Sequence, residues 1–174
     1  MSYRGLPQGS LRPYFSTLEN SCAQSAAACV LDHYGKLPSS PATAVADIYQ
    51  AFPPDNPVKF GTSPGRTEAI LHANQLRTRY FNSATANGYG AAQLADPLAH
   101  NIPVICIVDN GKLGGAWWAH FVVAFAYDDG GVWITNSIVT HGEQYVPYAQ
   151  WEEAWHCWFM SSKELQFVGL VPVP

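Results

Sequence analysis

Charge is what this sequence has least of. Charged residues make up 13% of its 174 positions, about half the usual share of a globular chain. The nine Lys and Arg residues form no basic block, and against 13 Asp and Glu they leave a net charge of -4. A phosphate backbone needs clustered cations, so no nucleic-acid partner is expected. No run approaches roughly 18 apolar residues, and Met1 to Ser10 lacks an apolar stretch of signal-peptide length. The expectation is a soluble protein without a membrane partner, cytoplasmic or exported by a route that leaves no trace in composition. Internal repeats, Cys-x-x-Cys pairs and the spaced oxygen ligands of a calcium loop are missing too. Neither a metal nor an organic cofactor is therefore expected.

What is present is apolar: 48% hydrophobic and 13% aromatic residues, enough for a real core in a chain of one-domain length. Residues 1–174 are expected to form a single domain. A chain this rich in Trp, Phe and Tyr folds without staples, so the cysteines at 22, 29, 106 and 157 are read as free thiols. Ala23, Ala26, Ala27, Val30 and Leu31 form an apolar stripe that predicts a helix over Ser21–Tyr34, with Gly35 as its stop. Pro38–Thr43 reads as a loop, and Ala44–Ala51 as a second helix. Phe52–Gly65, with four prolines and two glycines, reads as an irregular excursion, and Thr67–Leu76 as a third helix.

The second half changes character. Pro103–Val108 and His120–Tyr127 are continuous apolar runs that suit buried strands. Asp128-Asp129-Gly130-Gly131 supplies turn chemistry, and Val132–Asn136 returns antiparallel. Further strands are expected at Glu143–Val146 and Leu165–Val171, with a short helix at Tyr148–Ala154. Helices first and antiparallel strands afterwards make an α+β fold, N-terminal helices packed on a C-terminal antiparallel sheet.

The hairpin brings His120, at the start of one strand, near Asn136, at the end of the other. An amide there can orient an imidazole. Cys22 stands in the first turn of the first helix, where unpaired N–H groups and the helix dipole favour a thiolate. A nearby imidazole would lower the thiol pKa further. Cysteine as nucleophile, histidine as base and an amide holding the histidine is the Cys-His-Asn arrangement that attacks carbonyls through an acyl-enzyme.

At these residues the chain resembles the papain-like cysteine peptidases. The block His120-Phe-Val-Val-Ala-Phe-Ala-Tyr127, a short turn and Val132-Trp-Ile-Thr-Asn136-Ser137 is similar to that clan's His-bearing strand and Asn-bearing return strand, sixteen residues apart. The segment from Asn20 to Gly35 resembles the compact bacterial branch of double-glycine leader peptidases. Asn101-Ile-Pro103-Val-Ile105 matches the strand before the histidine in that branch, and Trp151 and Trp155 match its closing helix. The resemblance spans about residues 16 to 160. It implies a papain-like fold, a peptide or protein substrate, and Cys22, His120 and Asn136 as catalytic residues. The branch has a Gln six residues before the Cys, completing the oxyanion hole, where this chain has Ser16. Asn20 is the nearest amide donor, joined by the Cys22 N–H. A competing alignment puts Ser25 at the nucleophile position and Glu19 at the Gln position, but a carboxylate there would repel the developing charge. Asn136 stands where the branch more often has Asp, and either orients the histidine.

The expected function is hydrolysis of peptide or amide bonds. The same triad serves a glutamine deamidase, a transglutaminase-like acyltransferase or a cell-wall amidase, possible as an effector toxin. A third reading is a catalytically inactive papain-like domain that binds peptides. Cys29 and Cys106 fit the core, and Cys157, next to His156, has no zinc-ligand spacing. Trp117 and Trp118, after Gly114-Gly115, suit either an aromatic lip over a cleft or a cover for the core edge. His33, His72, His100 and His141 show no partner pattern.

Overall fold

The computed structural model describes residues 2–15, 17–56, 61–81, 89–115, 119–138, 142–159, 163–166 and 169–173. A two-residue strand, β1 (Arg4–Gly5), comes first. The helices α1 (Cys22–His33), α2 (Ala44–Ala51) and α3 (Pro64–Ala73) follow. Next come β2 (Arg77–Phe81), α4 (Tyr89–Ala99), β3 (Val104–Asp109), a 3-10 turn at Asn110–Leu113, β4 (Ala119–Tyr127) and β5 (Gly131–Thr135). The chain continues through β6 (Glu143–Pro147), α5 (Tyr148–Trp155), β7 (His156–Phe159), β8 (Lys163–Gln166) and β9 (Gly169–Val173).

The fold is α+β, built on a seven-stranded antiparallel sheet in the order β2-β9-β3-β4-β5-β6, with β1 paired to β4. Both faces of this sheet are covered. Ile105, Ile107, Phe121 and Val123 pack with α1, α2 and α3, while Val104, Cys106, Val108, Val122 and Ala124 pack with Leu94 and Leu98 of α4 and Trp151 and Trp155 of α5. Two buried faces explain why β3 and β4 read as unbroken apolar runs rather than as alternation. α1, α2 and α3 close one face, and α4 and α5 close the other.

Three boundaries differ from expectation. The third helix starts at Pro64, not Thr67, because Ser63 caps it: its hydroxyl accepts the Arg66 N–H at 3.2 Å, with Pro64 at the first helical position. Leu76 lies beyond its end as a buried core residue. Leu165–Val171 is not one strand. Lys163–Gln166 pairs with β7 in a separate two-stranded ribbon, and Gly169–Val173 enters the main sheet between β2 and β3.

β1 continues the line of β3 along β4. β3 pairs with β4 from Ala119 to Ala124, and β1 takes over at Ala126 and Tyr127. The register between β4 and β5 shifts between Ala124 and Ala126, leaving Phe125 as a bulge whose carbonyl accepts the Leu6 N–H at 2.9 Å. A Cβ at Gly5 would lie 2.4 Å from that carbonyl oxygen, so the crossing needs glycine.

Candidate active site

Strand lengths make the site. β5 pairs with β4 only from Val123 onward, so the outer edge of β4 at His120 and Phe121 is left free of β5. Asn136 follows directly after β5 and continues the ladder to β6 by donating its N–H to Gly142 at 2.8 Å. His120 and Asn136 then occupy the same face in a diagonal cross-strand relation. Both are buried, and His120 Nε2 meets Asn136 Oδ1 at 3.0 Å.

The hydrogen-bond pattern fixes the tautomer. Asn136 Oδ1 also accepts the Ile138 N–H at 3.0 Å, which identifies that atom as the carbonyl oxygen. Nε2 of His120 must then donate, leaving Nδ1 as the basic nitrogen. Ile138 was not among the residues expected here. A main-chain N–H two residues past an Asn is the ordinary Asx turn, so the Asn136-Ser137 pair was the available signal.

Cys22 opens α1 and keeps some solvent exposure. Main-chain groups of Phe121, the neighbour of His120, and of Ala23 and Cys22 itself lie near enough to favour its thiolate. The expectation of a depressed thiol pKa is overturned. Burial against the sheet pushes the Cys22 thiol up, and the three main-chain contacts offset only part of that rise. Burial likewise pushes the His120 imidazole down to about 4, partly opposed by its bond to Asn136. Both shifts favour the uncharged forms, a thiol at Cys22 and an imidazole at His120.

The N-cap residue of α1, Ser21, makes no side-chain cap. Ser21 turns its hydroxyl to the Leu18 carbonyl at 2.7 Å, so the first-turn N–H groups receive no capping bond from it. Asn20, exposed, sits just before the helix in the left-handed region at φ 56°, a conformation Asn tolerates better than most residues. Ser16 lies outside the described residues, as do Trp117, Trp118, His141 and the side chain of Cys157.

The other candidates are accounted for elsewhere. Ser25 is buried on the core face of α1, and Cys29 and Cys106 are buried free thiols. Burial and the surrounding charges push the Cys29 thiol up to about 12, against a hydrogen bond to Thr135. His33 packs edge-on against Tyr34, His72 Nε2 lies 3.1 Å from Thr78 Oγ1, and His100 Nδ1 lies 2.8 Å from the Asp96 carbonyl. Asp128 is a turn residue whose Oδ1 accepts from Gly130 N–H, Gly131 N–H and Tyr145 Oη. Among the described residues no group of three His, Cys, Asp or Glu side chains could hold a metal ion, and no helix is long and apolar enough to cross a membrane.

A helix-borne cysteine packed on an antiparallel sheet that carries a His and an Asn is the architecture of papain-like cysteine peptidases, in the compact bacterial form. The chain belongs to the Peptidase_C39 like family, whose model matches residues 6–163. Solved structures share the fold at low identity. A putative C39-like peptidase from Bacillus anthracis superposes with a TM-score of 0.70 and 14% identity, covering 100% of this chain and 98% of that one. The peptidase domain of Streptococcus ComA, a bi-functional ABC transporter in a quorum-sensing pathway, gives 0.63 and 14%, covering 94% and 97%. A double glycine motif protease from an AMS/PCAT transporter, in complex with the leader peptide, gives 0.60 and 12%, covering 94% and 92%. No curated protein sequence matches.

Proposed function

We propose that this chain is a cysteine-dependent hydrolase of peptide or amide bonds, with Cys22 as nucleophile, His120 as general base and then acid, and Asn136 as orienter of the imidazole. One observation carries the reading: the buried 3.0 Å contact of His120 Nε2 with Asn136 Oδ1, which leaves Nδ1 as the base. The family supports a peptidase, and the neighbour bound to a leader peptide supports a peptide substrate.

Because both shifts favour the uncharged forms, proton transfer accompanies attack instead of preceding it. The Cys22 proton passes to His120 Nδ1 as sulfur bonds to the carbonyl carbon, and the carbonyl oxygen takes the displaced electron pair. Asn20 and the Cys22 N–H, at the positive end of α1, are the donors proposed for that oxygen. Collapse breaks the C–N bond while Nδ1–H protonates the leaving amine. Water then gives a proton to Nδ1 and attacks the thioester, and as the C–S bond breaks Nδ1–H returns that proton to Cys22 Sγ.

A second reading has one observation in its favour. A raised thiol beside a lowered imidazole suits a domain that binds peptides without cutting them. The test is incubation with a peptide mixture varied around the scissile bond, Gly-Gly sequences included, read by mass spectrometry. The expected result is a new N-terminus that disappears with Cys22→Ala. Ammonia release without chain cleavage would reassign the site to deamidation, and transfer to an added amine to acyl transfer. Opening of muropeptides alone would make it a cell-wall amidase. Peptide binding with no Cys22-dependent product would overturn the hydrolase and leave the binding domain.

A further inference from the structure

Gln24 is an amide with no solvent exposure, two residues into α1 from Cys22, in a helix otherwise lined with alanine. Burying an amide is costly unless it is bonded. Its Nε2 donates to the Phe52 carbonyl at 2.9 Å and to Thr62 Oγ1 at 3.2 Å, and Thr62 is itself buried. These bonds grip both ends of the excursion that follows α2.

The excursion is braced internally as well. Asn56 and Gly61 exchange main-chain bonds at 3.0 and 2.8 Å. Asp55 accepts the Ser63 N–H at 2.8 Å and Arg66 Nε at 3.1 Å. The residue of this assembly that lies nearest Asn20 is Gly61, at φ 65°, within a methyl's reach of the Asn20 side chain. A Cβ at Gly61 would fall 3.5 Å from Asn20 Cβ and 3.8 Å from Asn20 Oδ1. Asn20 is thus backed by a glycine whose place Gln24 holds from within the helix.

We propose that Gln24 is a positioning residue for oxyanion stabilisation: through Phe52 and Thr62 it fixes Gly61 behind Asn20 and so sets the angle of the Asn20 amide. This rests on the hydrolase reading and on Asn20 as donor. It supplies by a long-range strut what the resemblance assigns to a Gln upstream of the cysteine. The strut acts on the transition state and leaves the thiol and the imidazole alone, because neither Gln24 nor Thr62 bonds Cys22, His120 or Asn136.

The experiment compares wild type, Gln24→Leu, Gln24→Glu and Gly61→Ala. Gln24→Leu removes the strut, Gln24→Glu keeps only the bond to Thr62, and Gly61→Ala strains the φ 65° backbone beside Asn20 without touching the buried amide. Each is assayed for kcat and KM on the peptide cleaved by wild type, for Cys22 alkylation by iodoacetamide, and for inhibition by the matching peptidyl aldehyde. The expected result is a kcat lower by about tenfold to a hundredfold with KM unchanged. Aldehyde affinity should fall in parallel, and the alkylation rate should stay at wild-type level. Gln24→Glu should fall between wild type and Gln24→Leu. Unchanged kcat in Gly61→Ala and in whichever Gln24 variants fold overturns the inference, as does a loss of alkylation in step with kcat. A wild type that cleaves no peptide and ignores the aldehyde counts instead against the hydrolase reading.

Discussion

The two walls of the site are held in different ways. On the Cys22 side, a helix of small residues is tied to an irregular excursion by Gln24, which bonds the Phe52 carbonyl and Thr62, and the excursion is braced by Asp55 on the Ser63 N–H. On the His120 side, strand register and two apolar layers fix the imidazole, with Phe121 buried on one face of β4 and Val122 on the other. Sheet register is set by many residues acting together, whereas a polar strut depends on single bonds. The first wall should therefore yield to point changes that alter geometry, and the second to changes that alter stability.

The sharpest break in that comparison is Cys22→Ala. It should reduce turnover by about 10⁶-fold while leaving the denaturation midpoint near wild type, since the side chain is small and not fully buried. Peptide hydrolysis and urea unfolding on one preparation check both halves. Phe121→Ala attacks the sheet wall and should cost about 3–5 kcal/mol of stability by loss of a buried ring. A variant that remains fully stable would mean that β4 is not anchored through this face.

Acid comes next. The His120 imidazole is neutral in the fold down to about pH 4, whereas an unfolded chain takes up that proton near pH 6.5. Unfolding therefore gains a proton between those values. The contribution, about 3 kcal/mol, is complete above pH 6.5 and is lost as pH falls towards 4. His120→Gln should flatten this part of the pH–stability curve. Activity moves the other way: the base stays unprotonated to a lower pH than a free imidazole, so the acid limb of kcat/KM should lie well below pH 6.5. The smallest effect belongs to Thr62→Val. It removes one strut partner and should cost about 1 kcal/mol, measured by chemical denaturation.

Legibility in the sequence followed the range of the contacts. His120 and Asn136 were readable because a single hairpin with an Asp-Gly turn joins them, and local turn chemistry sets their relation. α1 was readable from its alanines and from Gly35, its stop. The direction of the Cys22 pKa was not, because burial against the helix–sheet core is a tertiary fact that helix-terminus arguments omit. α4 was obscured by Gly90 and by Pro97, which lies inside the helix. β2 was obscured by Arg77 and Arg79, which break the apolar run of a core strand although β2 lies at the sheet edge. The Ser63-Pro64 pair was a readable cap and first-turn proline. Reading Phe52–Gly65 as one irregular block hid it. Gln24 carried a weaker signal, a lone amide on an alanine face.

The protonated sulfur at the head of α1 has a consequence for the protein's working life. Peroxides attack the thiolate, and conversion to sulfinic acid is in general irreversible. On the proposed reaction, a nucleophile held as the thiol and ionised only while a carbonyl is attacked would offer oxidants little between turnovers. The same burial that raises the Cys22 thiol would then also preserve it.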